Sequence, residues 1–227
     1  ILHRLVGSEM CIRDSSRSCF RNYETNRKSI KHEKLRRVYW LTHLVVFLGP
    51  PGAGKGTQAI KIASEFNLAH ISTGDMLRQH VKEQTDLGKI AKSLLDEGKL
   101  VPDDLVIQML IERLSHDDCL GGTILDGFPR TLPQAKSLEK INDKFPVVKV
   151  IVFEADQEEL TKRILLRGET SGRGDDTEDS IRVRLEVYQK DTEPLITYYE
   201  DKGITTKINA VGNVDDIYKE ISKEFIK

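Results

Sequence analysis

Short apolar runs alternate with segments of helical periodicity along the chain from residue 44 onward. Five of these runs have the length of buried strands, and they predict strands at 44–48, 68–71, 123–125, 147–153 and 204–208. Strands that alternate with helices are typical of βαβ units, whose strands run parallel. The pattern therefore predicts a three-layer α/β domain around a five-stranded parallel sheet. Ligands bind such sheets beyond the carboxyl ends of the strands.

The segments between the predicted strands carry apolar residues three or four positions apart. One such set comprises Leu87, Ile90, Ala91, Leu94 and Leu95, and another comprises Val214, Ile217, Tyr218, Ile221 and Phe225. Pro102, followed by Asp103 and Asp104, indicates a helix start, because proline fits the first turn and acidic residues suit its positive end. These segments predict the helical layers of the domain.

Residues 1–42 show neither the helical nor the strand periodicity of apolar residues. We expect them to form an extension outside the fold of residues 43–227. Three interpretations stay open: an organelle-targeting peptide, a disordered basic tail, or an artefact of translation or cloning joined to the domain. Residues 1–40 carry ten Lys/Arg against four Asp/Glu. The acidic Glu9, Asp14 and Glu24 count against a targeting peptide, which should be poor in acid. We favour the artefact, because residues 6–11 resemble nothing that a folded domain needs.

Composition narrows the class of protein. The 227 residues are 38% hydrophobic and 31% charged, without an apolar run long enough to cross a bilayer, so we expect no membrane role. Beyond residue 40 the chain has 25 Lys/Arg against 32 Asp/Glu, and this mild acidity argues against nucleic-acid binding. The cysteines Cys11, Cys19 and Cys119 form no CxxC pair, which favours a reducing compartment over a disulfide framework or structural zinc.

A phosphate-binding loop follows the first predicted strand. Residues 49–57 read Gly-Pro-Pro-Gly-Ala-Gly-Lys-Gly-Thr, and an apparent helix runs from 58 to 66. This strand, loop and helix context is the one a P-loop requires, in which backbone N–H groups, a helix amino end and a lysine meet phosphate oxygens. The motif has one departure: Gly56 stands where Ser or Thr is usual, and the hydroxyl comes at Thr57. The triphosphate-binding candidates are Gly52, Ala53, Gly54, Lys55, Gly56 and Thr57.

Two residues after the third predicted strand have chemical meaning on their own. Asp126 ends a buried strand beside the P-loop, where a carboxylate can orient magnesium through its water shell. Arg130 follows a Phe-Pro turn that fixes its backbone, which suits a rigid clamp on phosphate. Away from a P-loop, an aspartate at the end of a strand would be a helix cap or turn residue about half the time. A surface arginine would normally be solvated.

Three further segments, together with the P-loop, closely resemble the adenylate kinase family over about residues 44–227. They are residues 72–78 (Ser-Thr-Gly-Asp-Met-Leu-Arg), 98–102 (Gly-Lys-Leu-Val-Pro) and 125–135 (Leu-Asp-Gly-Phe-Pro-Arg-Thr-Leu-Pro-Gln-Ala). The resemblance implies a P-loop kinase fold with a small AMP-binding lobe at 72–101. It implies that Thr73 lies near the base, that Arg78 and Arg130 bind the AMP phosphate and that Gln134 reads the adenine. The remaining AMP-binding positions it implies are Lys99, Leu100, Val101, Gly127, Phe128 and Pro129.

An arginine cluster comes next. Arg163 and Arg167 lie four apart on a predicted helix and share a face. Glycines at 168, 172 and 174 predict a hinged loop from 168 to 176, followed by a helix that carries Arg184. The resemblance implies a short lid at 167–176, with Arg163 and Arg167 near the ATP phosphates and with Arg173 and Arg184 reaching toward AMP. It also places Gly212 near the adenine of ATP and, because the lid lacks cysteines, implies no zinc.

The implied activity is the reversible, Mg²⁺-dependent transfer of the terminal phosphoryl group of ATP to AMP, in adenine nucleotide homeostasis. The attacking AMP oxygen is already ionised near neutral pH, so catalysis would come from alignment and charge neutralisation. The groups expected to supply it are Lys55, Arg130, Arg163, Arg173 and Arg184. We expect a cytoplasmic monomer, or an organellar protein such as a mitochondrial one if residues 1–42 are a targeting peptide.

Three other functions compete with this one. A UMP or CMP kinase would share the fold, but Thr73 and the Pro-Gln-Ala stretch at 133–135 favour AMP. A GTPase-like switch would need an Asn-Lys-x-Asp element, which the sequence does not contain. A P-loop ATPase acting on nucleic acid is disfavoured by the acidic domain and the arginine-rich lid.

Overall fold

A computed structural model describes residues 43–171 and 177–226, and the side chains of residues 157, 158 and 167–171 fall outside that description. The predicted extension at 1–42 and Arg173 therefore lie outside the described residues, as does the side chain of Arg167.

Five strands form one parallel sheet, and the prediction of a three-layer α/β fold is confirmed. They are β1 (Leu44–Leu48), β2 (Ala69–Ser72), β3 (Thr123–Asp126), β4 (Val147–Glu154) and β5 (Thr205–Asn209). Their order is β2-β3-β1-β4-β5. Leu44 of β1 lies opposite both Thr123 of β3 and Val147 of β4, so β1 occupies the centre. Each strand lies within one residue of its predicted bounds.

Helices connect the strands and cover both faces of the sheet. They are α1 (Lys55–Phe66), α2 (Thr73–Lys82), α3 (Asp86–Asp96), α4 (Asp103–Leu114), α5 (Leu132–Lys140), α6 (Gln157–Ser171), α7 (Glu178–Val187), α8 (Pro194–Glu200) and α9 (Val214–Ile226). The predicted helix start at Pro102 is confirmed, since α4 begins at the next residue with Asp103 and Asp104 in its first turn. A 3₁₀ turn spans Asp117–Gly121, and a π-helical turn spans Tyr188–Thr192. Within the described residues, none of these helices is long and apolar enough to cross a membrane.

Two predicted boundaries were wrong, and both involve glycine. Helix α1 begins at Lys55, three residues before the predicted start, and takes Gly56 and Thr57 into its first turn. Helix α6 continues to Ser171, so residues 168–171 are helical where a loop was predicted. A glycine inside a helix costs only about 1 kcal/mol relative to alanine, and the surrounding structure can offset that cost.

The core lies on both faces of the sheet. Leu44, Val46 and Leu48 of β1 pack into one apolar cluster, while Val45 and Phe47 pack into the other. All five side chains are at most 2% exposed. Burying a side chain such as Phe47 contributes about 1.5–3 kcal/mol to the free energy of unfolding. Because helices cover both faces, the carboxyl ends of the strands are where loops can form a site.

Candidate active site

A cleft of about 750 Å³ opens at the carboxyl ends of the central strands. It is lined by the P-loop, the first turns of α1 and α2, residues 98–101, the turn after β3, and side chains from α6 and α7. The cleft brings together these predicted site residues: Gly52, Ala53, Gly54, Lys55, Gly56, Thr57, Thr73, Arg78, Lys99, Leu100, Val101, Asp126, Gly127, Pro129, Arg130, Gln134, Arg163, Arg184 and Gly212.

Phe128 is the exception among the described candidates. It is 1% exposed and packs in the core cluster beneath the turn, so it does not line the cleft. Its side chain packs away from the cleft, and its assignment to AMP binding stays a prediction. A large apolar side chain at this point in a turn is more stable under the sheet edge than in a polar cleft. It supports the turn from below.

The P-loop runs from the end of β1 to the amino end of α1. Gly52 and Gly54 have φ of 84° and 82°, which side chains rarely adopt. A Cβ at Gly52 would also lie 2.8 Å from the Leu160 carbonyl oxygen, so the loop passes too close to α6 for any larger residue. The first turn of α1 contains no acidic residue, which leaves its partial positive charge available to an anion.

Lys55 is the first residue of α1 and folds over this loop. Its Nζ donates to the carbonyl oxygens of Gly49 and Pro50 at 2.7 and 2.8 Å. These bonds hold the ammonium group at the cleft beside the loop backbone. A positive charge held there is suited to phosphate oxygens.

Asp126 ends β3 beside the first turn of α1. Its side chain is 14% exposed, and its Oδ2 lies 3.7 Å from Nε2 of His70. A Cβ at Gly56 would lie 3.1 Å from the same oxygen. The departure of the loop from the general motif thus has a local reason, because a side chain at position 56 would press on the carboxylate.

The oxygen atoms around Asp126 fit a magnesium ion. Asp126, which carries a carboxylate, and Thr57, which carries a hydroxyl, both line this cleft. In the described part of the chain, no group of three or more His, Cys, Asp or Glu side chains is placed to hold a metal. Magnesium needs no such cage, because it retains several waters and binds through one or two carboxylates together with substrate phosphates.

The turn after β3 is joined to α2 through one carbonyl group. The oxygen of Gly127 accepts from Nε of Arg130 and from Oγ1 of Thr73, both at 2.8 Å. Gly127 has φ of 77°, and a Cβ there would lie 2.9 Å from Nη2 of Arg130. Only glycine allows Arg130 to fold back on the turn in this way.

Arg130 interacts with several other charged side chains in this part of the cleft. Burial lowers the pKa of its guanidinium, Asp126 opposes that shift, and the charges of Arg184 and Arg78 lower the pKa further. Arginine stays protonated at neutral pH, so the three guanidinium groups remain close together as cations. Arg78 also forms an ion pair with Asp75. A multiply charged anion in the cleft would relieve the repulsion among the arginines.

Gln134 lies beside this arginine and is 2% exposed. Its Oε1 accepts from the backbone N–H of Arg130 at 2.7 Å, and its Nε2 donates to Oδ1 of Asp103 at 2.7 Å. Among the described residues, each amide atom therefore has one hydrogen-bond partner, which leaves one further hydrogen-bonding position on each.

Two residues that the sequence did not single out also serve this region. Both belong to the π-helical turn between α7 and α8. Thr192 is 7% exposed and donates from Oγ1 to the carbonyl oxygen of Arg130 at 2.8 Å. Tyr188 lines the cleft; burial, aided by Glu193 and Glu154, raises its pKa to about 12. Single π turns often mark functional sites but have no simple sequence signal.

Arg163 and Arg184 reach the cleft from different helices. Arg163 donates from Nη1 to the Ala210 carbonyl oxygen at 2.8 Å and pairs with Glu159 through Nε, also at 2.8 Å. It therefore lies at the loop between β5 and α9, which includes Gly212. Arg184 lies near the opposite wall, since a Cβ at Gly98 would lie 3.1 Å from its Cγ.

Comparisons with known proteins agree with this geometry. The family model for adenylate kinase matches residues 47–204. An adenylate kinase of Thermus thermophilus is 45% identical over 179 residues, which cover 78% of this chain and 94% of the relative. Those of Parabacteroides distasonis and Methanothrix thermoacetophila are 46% identical over 181 residues and 43% over 211, covering 79% and 81% of this chain and 95% and 98% of the relatives. The chain belongs to the adenylate kinase family, whose enzymes transfer the terminal phosphoryl group of ATP to AMP.

Proposed function

We propose that the cleft at the sheet edge binds ATP and AMP together and that its residues divide into a donor side and an acceptor side. The observation that carries this proposal is the position of Arg130, which shares one cleft with the P-loop and lies among Arg78, Arg184 and Asp126. Two phosphate chains brought end to end need cations between them, and this cluster provides them.

The donor side holds the phosphates of ATP. The backbone of residues 52–57 and the amino end of α1 surround them, and Lys55 turns from the loop carbonyls to the outer phosphates. Arg163 and Gly212 flank the nucleoside, in keeping with the bond from Arg163 to Ala210. Arg167 belongs to the same proposal, although its side chain lies outside the described residues.

The acceptor side holds AMP. Arg78 and Arg130 bind its phosphate, and Thr73 and Gln134 face its base. Residues Lys99, Leu100 and Val101 close over the adenosine, with Gly127 and Pro129 forming the wall of the turn. The base preference then rests on Gln134, because its amide is buried and would be left unpaired by the wrong base.

The chemistry follows from these positions. The AMP phosphate oxygen attacks as an anion, so no side chain needs to take a proton. Lys55, Arg130, Arg163, Arg184 and Arg173, the last outside the described residues, align the two nucleotides and neutralise charge on the transferring group. A magnesium ion associated through water with Asp126 supplies further charge neutralisation when bound. Closure of a lid at 167–176 excludes water and so prevents hydrolysis of ATP.

Several finer points stay predictions of the sequence pattern. They are monomeric action, magnesium without zinc, a cytoplasmic location and the separation of residues 1–42 from the fold. None of them alters the assignment of the two nucleotide sites.

The test is to offer the purified protein ATP, magnesium and each of AMP, CMP, UMP and GMP separately, and to record formation of each diphosphate. We expect AMP to be preferred by orders of magnitude. Gln134→Ala should reduce that preference more than it slows the AMP reaction. A preference for CMP or UMP would overturn the substrate assignment, and ADP formed without any monophosphate would overturn the lid argument.

A further inference from the structure

Asp103 connects two walls of the cleft without lining it. It is the first residue of α4 and directly follows the segment that closes over the AMP side. Its Oδ1 accepts from Nε2 of Gln134 at 2.7 Å, and its Oδ2 accepts from Oγ1 of Thr131 at 2.8 Å. Thr131 caps α5, with its Oγ1 accepting from the backbone N–H of Gln134 at 3.3 Å. Both carboxylate oxygens are thus committed to the segment that carries Gln134.

These contacts fix which way the Gln134 amide faces. A carboxylate only accepts hydrogen bonds, so the nitrogen of the amide must face Asp103. A backbone N–H only donates, so the amide oxygen must face Arg130. The reversed amide would set two donors against each other at Arg130 and two acceptors at Asp103. A single orientation satisfies both neighbours.

The orientation decides what the amide can offer to a base. Among the described residues, one N–H and one oxygen lone pair of the Gln134 amide remain without a protein partner, and this residue lines the cleft. This pair matches a base edge that has an exocyclic amine next to a ring nitrogen acceptor, as a 6-aminopurine has. A 6-oxopurine presents the reverse order, with a carbonyl oxygen next to a ring N–H. Reversing the amide would therefore reverse the preference.

We propose that Asp103 is a positioning residue that fixes the Gln134 amide and thereby sets the preference for 6-aminopurine over 6-oxopurine monophosphates. The inference rests on the proposed function, in which Gln134 reads the base of AMP. It adds a residue outside the cleft to the determinants of specificity and gives that residue a directional effect.

The experiment compares kcat/KM for AMP with kcat/KM for inosine monophosphate, whose base carries oxygen at position 6. In Asp103→Asn a single oxygen remains to accept, so Nε2 of Gln134 and Oγ1 of Thr131 compete for it and the Gln134 amide is held less firmly. We expect the AMP-to-IMP ratio to fall roughly ten- to a hundredfold, chiefly through KM for AMP. The matched control is Asp104→Asn, which removes the same charge from an exposed neighbour in the same helical turn. It should keep the wild-type ratio.

The ratio does not depend on the fraction of folded enzyme, so partial unfolding cannot imitate the result. Asp103→Asn in a Gln134→Ala background should change the ratio no further, because the two residues act as a unit. An Asp103→Asn variant that loses activity equally with AMP and IMP, or that keeps the ratio while Gln134→Ala loses it, would overturn the inference alone. A wild-type enzyme without preference for AMP over IMP would overturn the base assignment of the proposed function as well.

Discussion

Replacing Thr192 by valine should show how much the π-helical turn contributes to the site. Valine keeps the shape of threonine but removes the hydroxyl that donates to the Arg130 carbonyl at 2.8 Å. Thr192 is 7% exposed, so water would replace that donor poorly. Losing one partner of such a bond costs about 1–3 kcal/mol in the free energy of unfolding. For a domain of this size, each kcal/mol lowers the thermal midpoint by about 2–4 °C.

The same substitution should also slow catalysis, because the released carbonyl belongs to the residue that we place on the AMP phosphate. A displacement approaching 1 Å at a positioned group can cost on the order of a hundredfold in rate. A smaller shift of Arg130 should therefore lower kcat about tenfold. Thermal unfolding and steady-state ADP formation measure the two effects separately.

Thr205→Val is the matched control. Its Oγ1 is buried and has no hydrogen-bond partner among the described residues, and it lies in β5, where valine is favoured. Removing that hydroxyl should leave stability unchanged or raise it, with kcat unaffected. The reasoning about Thr192 would be refuted if both valine variants behaved alike in unfolding and in turnover.

Two further predictions concern the P-loop and the amino-terminal segment. Lys55→Met should reduce turnover about a hundred- to a thousandfold while thermal unfolding stays near that of the wild type, and near-normal activity would remove the P-loop from the mechanism. A chain that starts near Thr42 should keep the thermal midpoint and the activity of the full chain, measured side by side. A large loss of stability on that truncation would show that residues 1–42 belong to the fold.

The strands were predictable because parallel sheets are buried on both faces. All five residues of β1 are at most 2% exposed, so the strand appears in the sequence as an unbroken apolar run. The edge strands β2 and β5 are only partly buried, yet all the strands lie within a residue of their predicted limits. Helix limits were less predictable, because Gly56 and Gly168 suggest a break in sequence and yet lie within α1 and α6. At Gly56 the neighbour in space is the Asp126 carboxylate, which a local sequence pattern does not contain.

Some residues at the cleft were predictable from the sequence, and the residues that support them were not. Lys55, Arg130 and Gln134 belong to motifs whose local sequence indicates phosphate or base binding. Their supporting residues carry no such signal, since each acts through a partner distant in sequence: Thr192 through the Arg130 carbonyl and Asp103 through the Gln134 amide.

Gly56 of the P-loop illustrates how a residue distant in sequence bears on a motif position. A serine or threonine there would bring its Cβ to 3.1 Å from the Asp126 carboxylate, which would have to shift slightly to make room. Glycine removes that conflict and lets the carboxylate stay beside the amino end of α1. The hydroxyl that the general motif places at position 56 is then supplied to the same cleft by Thr57. Glycine at position 56 thus suits the close approach of the Asp126 carboxylate to α1, while Thr57 keeps a hydroxyl-bearing residue at the cleft.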